Sequence, residues 1–171
     1  MKKIMIMALM MLPIVGISQS LTVKAKKVKI SFLAAMQKTE GTIGGLEATI
    51  NFNPDDLAAS TISGSVDVST LSTENEKRDD HLKSKDFFEM ETYPKMTFSS
   101  KSIKAEGDTY VMTGIMKIKG DEHEEKITFS YKDKMFVGEC TIFLENYNVG
   151  KFSKNKGEKG SVKISFAIPV E

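Results

Sequence analysis

Val162-Lys163-Ile164-Ser165-Phe166-Ala167-Ile168-Pro169-Val170 is the stretch that decides the fold class. Large apolar residues occupy every second position and small or polar ones the rest, the two-residue period of a strand with one buried face. Pro169 has no backbone donor, so it belongs where this strand leaves its ladder. Working back along the chain, the same period recurs at Phe136, Gly138, Cys140, Ile142, Leu144, then at Ile127, Phe129, Tyr131. It continues at Tyr110, Met112, Gly114, Met116, Ile118 and, more briefly, at Met96 and Phe98. Ile62, Gly64, Val66, Val68 precede these, then Leu46, Ala48, Ile50, Phe52, and finally Val28, Ile30, Phe32, Ala34. Between the eight candidate strands sit turn formers: Gly41 with Gly44 and Gly45, Asn53-Pro54-Asp55-Asp56, Glu106-Gly107-Asp108, Gly120-Asp121 and Lys132-Asp133-Lys134. Short links imply antiparallel neighbours. Such a sheet either stacks as a sandwich or closes as a barrel, and closure removes the edges that invite aggregation. The expected fold is all-β, an eight-stranded antiparallel barrel.

The chain has 171 residues, enough for one domain, with 24 Lys+Arg against 23 Asp+Glu. That near-neutral balance lacks the surplus of clustered cations on which nucleic-acid binding rests. Residues 1–18 read as a cleaved secretory signal. Lys2 and Lys3 lead, Ile4 to Gly16 is a nearly unbroken apolar run, and Gly16 and Ser18 are the small residues before a cut. The 13 residues of the run span about 20 Å as a helix, short of the roughly 30 Å of a bilayer core, which argues against a membrane anchor. The mature domain is therefore expected to be residues 19–171, periplasmic or secreted. Losing Lys2 and Lys3 leaves 22 cations against 23 anions.

One segment breaks the strand rhythm, Thr73-Glu74-Asn75-Glu76-Lys77-Arg78-Asp79-Asp80-His81-Leu82-Lys83-Ser84-Lys85-Asp86-Phe87-Phe88. Thr73 with Glu76 has the spacing of a capping box, and acids crowd the first turn where the helix dipole favours them. A helix of roughly ten residues is marginal alone. It must dock through Leu82, Phe87 and Phe88, and the open mouth of a small barrel is the natural berth.

That segment also carries a resemblance. Arg78-Asp79-Asp80-His81-Leu82-Lys83-Ser84-Lys85-Asp86-Phe87-Phe88, followed by Tyr93-Pro94-Lys95-Met96-Thr97-Phe98-Ser99-Ser100, resembles the signature of the YceI-like polyisoprenoid-binding family. Thr42-Ile43-Gly44-Gly45-Leu46 leading to Ile50-Asn51-Phe52, and Thr113-Gly114-Ile115-Met116-Lys117-Ile118-Lys119-Gly120, are similar to it too. The resemblance covers about residues 22–170. It implies a lipocalin-like barrel with a short helix or lid between the third and fourth strands, and a tunnel that holds a long isoprenoid or other lipid tail. The chain departs from the family pattern at Asp121-Glu122-His123-Glu124-Glu125 and at Asn146-Tyr147-Asn148-Val149-Gly150.

The inward parity, with the two phenylalanines of the helical segment, nominates Phe32, Ala34, Ile50, Phe52, Val66, Phe87, Phe88, Phe98, Met112, Gly114, Met116, Phe129, Ile142 and Phe166 as a tunnel lining. The small residues Ala34, Ala48, Gly64, Gly114 and Gly138 are expected to leave the channel between the rings. Simple packing, with the glycines marking bends, is the competing reading, because an eight-stranded barrel can be filled by its own side chains. At the mouth Arg78, Asp79, Asp80 and His81 are the polar candidates for a head group, against a structural role that fixes a lid.

No enzyme is expected. There is no GxSxG, neither histidine has metal-ligand spacing, and Cys140 has inward parity. No cofactor or metal is expected either. His123 amid four acids reads as a solvated loop, with weak surface cation binding as the alternative. Lys24, Lys26, Lys27 and Lys29, and Lys151, Lys154, Lys156, Lys159 and Lys163, would attract anionic head groups in transient contact with a membrane surface if both sets gathered at one barrel end. The partner expected is a long-chain isoprenoid or fatty lipid, with a homodimer left open. The alternatives are a structural or partner-binding barrel with a filled interior, and a lipid hydrolase using His81.

Overall fold

The computed structural model describes residues 20–150 and 157–171, so residues 1–18, read above as a secretory signal, and Lys151, Lys154 and Lys156 lie outside the described residues. In chain order the elements are β1 (Ser20–Leu21), β2 (Lys29–Ala34), β3 (Thr39–Asn51), β4 (Thr61–Ser72), α1 (Glu76–Lys83), β5 (Lys95–Glu106), β6 (Thr109–Ile118), β7 (Asp121–Lys132), β8 (Met135–Phe143) and β9 (Ser161–Pro169). From β2 to β9 each strand pairs antiparallel with the next in the chain. Finally β9 pairs with β2 from Lys29↔Ala167 to Ala34↔Val162, closing a ring of eight strands. The short β1 extends one end of β3 at Ser20↔Asn51. The barrel read from the two-residue period is the fold found, and Pro169 is the last residue of β9, where its missing N–H breaks nothing.

β3 is longer than its apolar period suggests. Its first residues pair with β2, up to Ser31↔Thr42, and the rest pairs with β4, from Gly44↔Asp67 to Asn51↔Thr61. The ladder shifts register between Thr42, Gly44 and Glu47, and Gly45 has φ +66 there. Gly41, Gly44 and Gly45 are therefore not the turn that sequence reading assigns. Gly44 and Gly45 lie in the bulged corner that lets one strand serve two neighbours, Gly41 pairs regularly with Phe32, and the turn itself lies at Met36–Lys38, where Gln37 has φ 71.

The up-and-down order sorts the connections to two ends. One end carries the β2–β3, β6–β7 and β8–β9 links together with the excursion through α1. The other carries the β3–β4, β5–β6 and β7–β8 links. Lys24, Lys26, Lys27 and Lys29 lead into β2 at this second end, whereas Lys159 precedes β9 at the first. The two lysine sets that sequence reading would gather at one rim thus stand at opposite ends among the described residues.

The second end is closed by aromatic rings. Phe52 sits edge-on to Tyr110, Tyr131, Phe136 and Phe129, at 5.1, 5.3, 5.4 and 5.7 Å. Tyr110 stacks on Phe129 at 5.3 Å. Ile103 and Val170 are buried with them.

Candidate functional site

α1 has Asn75 rather than Thr73 as its N-cap, the Asn75 side chain accepting from the Arg78 N–H at 3.0 Å. Thr73 is drawn away from capping because it is the hub of a buried network. Its N–H donates to Asp79 Oδ1 at 2.8 Å and its hydroxyl donates to the same oxygen. Arg78 Nε donates to the Thr73 hydroxyl oxygen at 2.7 Å and Nη2 to the Thr73 carbonyl at 2.8 Å. Burial would raise the Asp79 carboxyl, yet the Thr73 bonds outweigh it and, with Lys83, hold Asp79 below its ordinary value. Asp79 is thus engaged as a structural acceptor, the role weighed against its nomination for a head group. Asp80 is exposed.

Inside the barrel lies a cavity of about 480 Å³, within the range of small-molecule sites. Arg78, His81, Leu82, Phe87 and Phe88 line its helix end together with Met36, Gln37, Lys159, Gly160 and Ser161. The His81 side chain is 59% exposed, 3.5 Å from Asp86 and edge-on to Phe87 at 4.9 Å. It is not packed under a loop.

Of the residues nominated for the lining, Phe32, Ala34, Ile50, Val66, Phe87, Phe88, Phe98, Met112, Met116, Phe129, Ile142 and Phe166 border the cavity. Phe52 and Gly114 do not. Phe52 stands behind the cavity floor in the aromatic cluster, and Gly114 is covered. A Cβ on Gly114 would lie 2.6 Å from Phe98 Cζ and 2.3 Å from the Ser99 carbonyl. The same covering recurs at Gly138 under Phe166 Cζ at 2.5 Å and at Gly41 under Phe32 Cζ at 2.3 Å. Ala34, Ala48 and Gly64 border the cavity directly, whereas Gly41, Gly114 and Gly138 keep the lumen open indirectly. Each lets a phenylalanine of the adjoining strand lie down on the wall instead of standing into the channel.

Residues that sequence reading did not nominate also line the cavity. Ile30, Ile62, Ile127, Phe136, Cys140 and Ile164 share the inward parity already visible in the sequence, so extending the period would have found them. Met36 and Gln37 come from a turn, for which periodicity offers no signal. Burial, followed by the Glu125 and Glu139 carboxylates, pushes the Cys140 thiol up to about 12, which keeps it protonated and a poor nucleophile.

His123 is not in a loop either. It lies on β7 opposite Met116 and edge-on to the fully buried Tyr147 at 5.1 Å. The outward members of the acidic run are paired with lysines, Glu122 with Lys117 on the adjacent β6 and Glu124 with Lys101 on β5 one strand further, each at 3.0 Å. Inward of them, the Tyr147 hydroxyl donates to Glu125 Oε1 at 2.8 Å and its pKa is raised, chiefly by burial. Among the described residues no group of His, Cys, Asp and Glu could hold a metal ion.

A closed antiparallel barrel, an apolar lumen and a helix beside its mouth are thus built by one segment pattern, and the sequence profile of the YceI-like domain matches residues 21–170. The chain belongs to the YceI-like domain family. A UPF0312 protein of Photorhabdus laumondii is 34% identical over 80 residues, which are 47% of this chain and 42% of that relative, so the match spans less than half of the relative's length. Among solved structures, BcnA of Burkholderia cenocepacia superimposes with a TM-score of 0.78 at 27% identity, covering 87% of this chain and 99% of that one. A polyisoprenoid binding domain from Saccharophagus degradans, implicated in plant cell wall breakdown, shares the fold with a TM-score of 0.63 at 12% identity, covering 91% and 99%.

Proposed function

We propose that this YceI-like domain is an exported binding protein that holds the tail of a long-chain isoprenoid or fatty lipid in its barrel, as a carrier, store or sensor in the periplasm or outside the cell. The observation that carries the reading is the apolar lumen of about 480 Å³, open beside α1 and floored by aromatic rings. A dozen tail carbons buried there gross about 10 kcal/mol at roughly 0.8 per methylene, against about 8 for micromolar affinity. The difference offsets part of the loss of freedom on binding. Arg78 supplies charge at the rim, its guanidinium held by Thr73 so that a phosphate or carboxylate head meets a cation already in place. His81, exposed beside it, is the second donor. The name of the Saccharophagus degradans domain points to the same ligand class.

The reading assigns no catalytic step, consistent with the protonated Cys140 and with Asp79 engaged by Thr73. Its test is mass spectrometry of an organic extract of protein purified without detergent. About one long-chain molecule per barrel is expected, and an empty extract overturns the reading. Ala48→Phe, which places a ring in the lumen, should abolish co-purification while the circular dichroism spectrum stays that of a folded barrel.

A further inference from the structure

The cavity stops at one level on three separate strands. On β3, Ile50 lines it and Phe52, the next residue of the same parity, does not. On β6 the boundary falls between Met112 and Tyr110, and on β7 between Phe129 and Tyr131. Beyond Ile30 and Ile168 stand Val28 and Val170, whereas on these three strands the residue just beyond the boundary is aromatic. Those rings are locked to one another, with Phe52 at 5.1 Å from Tyr110 and 5.3 Å from Tyr131, and Phe52 is only 3% exposed. The floor is therefore a packed layer two rings deep, with Phe129 and Phe136 facing the lumen and Phe52 behind them.

We infer that this aromatic layer is a length stop, which selects ligands by how far a tail can extend between the Arg78 rim and the Phe129–Phe136 floor. The inference rests on the tail-binding reading and adds a selectivity to it. From Ser161 at the rim to Ile168 at the floor, β9 spans about 24 Å, or about 18 Å of barrel height at an ordinary strand tilt. A carbon–carbon bond of about 1.5 Å at a near-tetrahedral angle advances roughly 1.25 Å along an extended chain. The berth thus accepts about 14 chain carbons, or three to four isoprene units laid straight. Carbons beyond that number stay in water and add no affinity, whereas each carbon within it gains the transfer of one methylene out of water.

The experiment is titration calorimetry of the lipid-free, full-length mature protein with saturated fatty acids from C8 to C20. Affinity should rise about fourfold per methylene up to about 14 carbons and then level off. Phe52→Ala, which removes the ring backing the floor, should move the plateau two to three methylenes longer without changing affinity for the short acids. Phe52→Leu, which keeps most of the volume, should move it less and serves where the alanine variant fails to melt cooperatively. A rise that continues through C20 in the wild type, or a plateau unmoved in both variants, overturns the length stop while leaving tail binding intact. Absence of binding at every chain length instead removes the tail-binding reading, and the length stop with it.

Discussion

Two hydrogens on Thr73 decide what Asp79 does. With the backbone N–H and the hydroxyl of Thr73 both directed at Oδ1, the carboxylate is committed to holding the chain that enters α1, and the same threonine carries Arg78 on its oxygens. Asp79→Ala would leave a buried N–H and hydroxyl without their acceptor, and should lower stability by about 1–3 kcal/mol at neutral pH. The pH dependence follows from the sign of the shift. Because the folded value is depressed, the contribution of Asp79 is fully present above the ordinary carboxylate pKa of about 3.9 and is lost as pH falls through the lower folded value. Urea unfolding of wild type and Asp79→Ala should therefore show a gap at neutral pH that narrows below about pH 4; a gap that widens on acidification refutes the assignment. A structural role for one of these acids was legible in the sequence, but not which acid fills it. Asp79 and Asp80 are adjacent acids on one predicted helix, and only the return of the chain at Thr73 distinguishes the buried one from the exposed one. His123 was misread for a related reason, since a run of acids looks like a turn until the lysines of β5 and β6 are set beside it.

Between elements, the recurring device is a phenylalanine lying across a glycine of the neighbouring strand. Phe98 covers Gly114, Phe166 covers Gly138 and Phe32 covers Gly41. Because a Cβ at Gly114 would meet the Ser99 carbonyl at 2.3 Å, Gly114→Val should part β5 from β6 and lower stability by about 1–3 kcal/mol. Gly64→Ala meets nothing closer than the Glu47 carbonyl at 3.2 Å and should shift the urea midpoint less. Equal shifts for the two would show that the rings do not need bare backbone beneath them. Strand identity was readable because a single buried face imposes a period of two. The limits of β3 were not, because glycines at a bulged corner and glycines at a turn look alike in one dimension. The lumen was readable only in part. Parity marks which side chains point inward, but whether a ring stands or lies down depends on the residue opposite, which pairing alone reveals.

At the scale of the molecule, tail binding removes apolar surface from water without the chain having to fold around its ligand, so association should show a negative heat-capacity change. Ligand at a hundred times its dissociation constant should raise unfolding free energy by about 2.7 kcal/mol, measurable as a concentration-dependent rise in Tm. A heat-capacity change near zero would place the ligand at the rim instead of in the lumen. The closure of the ring joins β2 to β9, the last strand in chain order. Without residues 161–169 the β2 edge has no second partner and the ring cannot close, so on the tail-binding reading a chain truncated before β9 should retain no lipid.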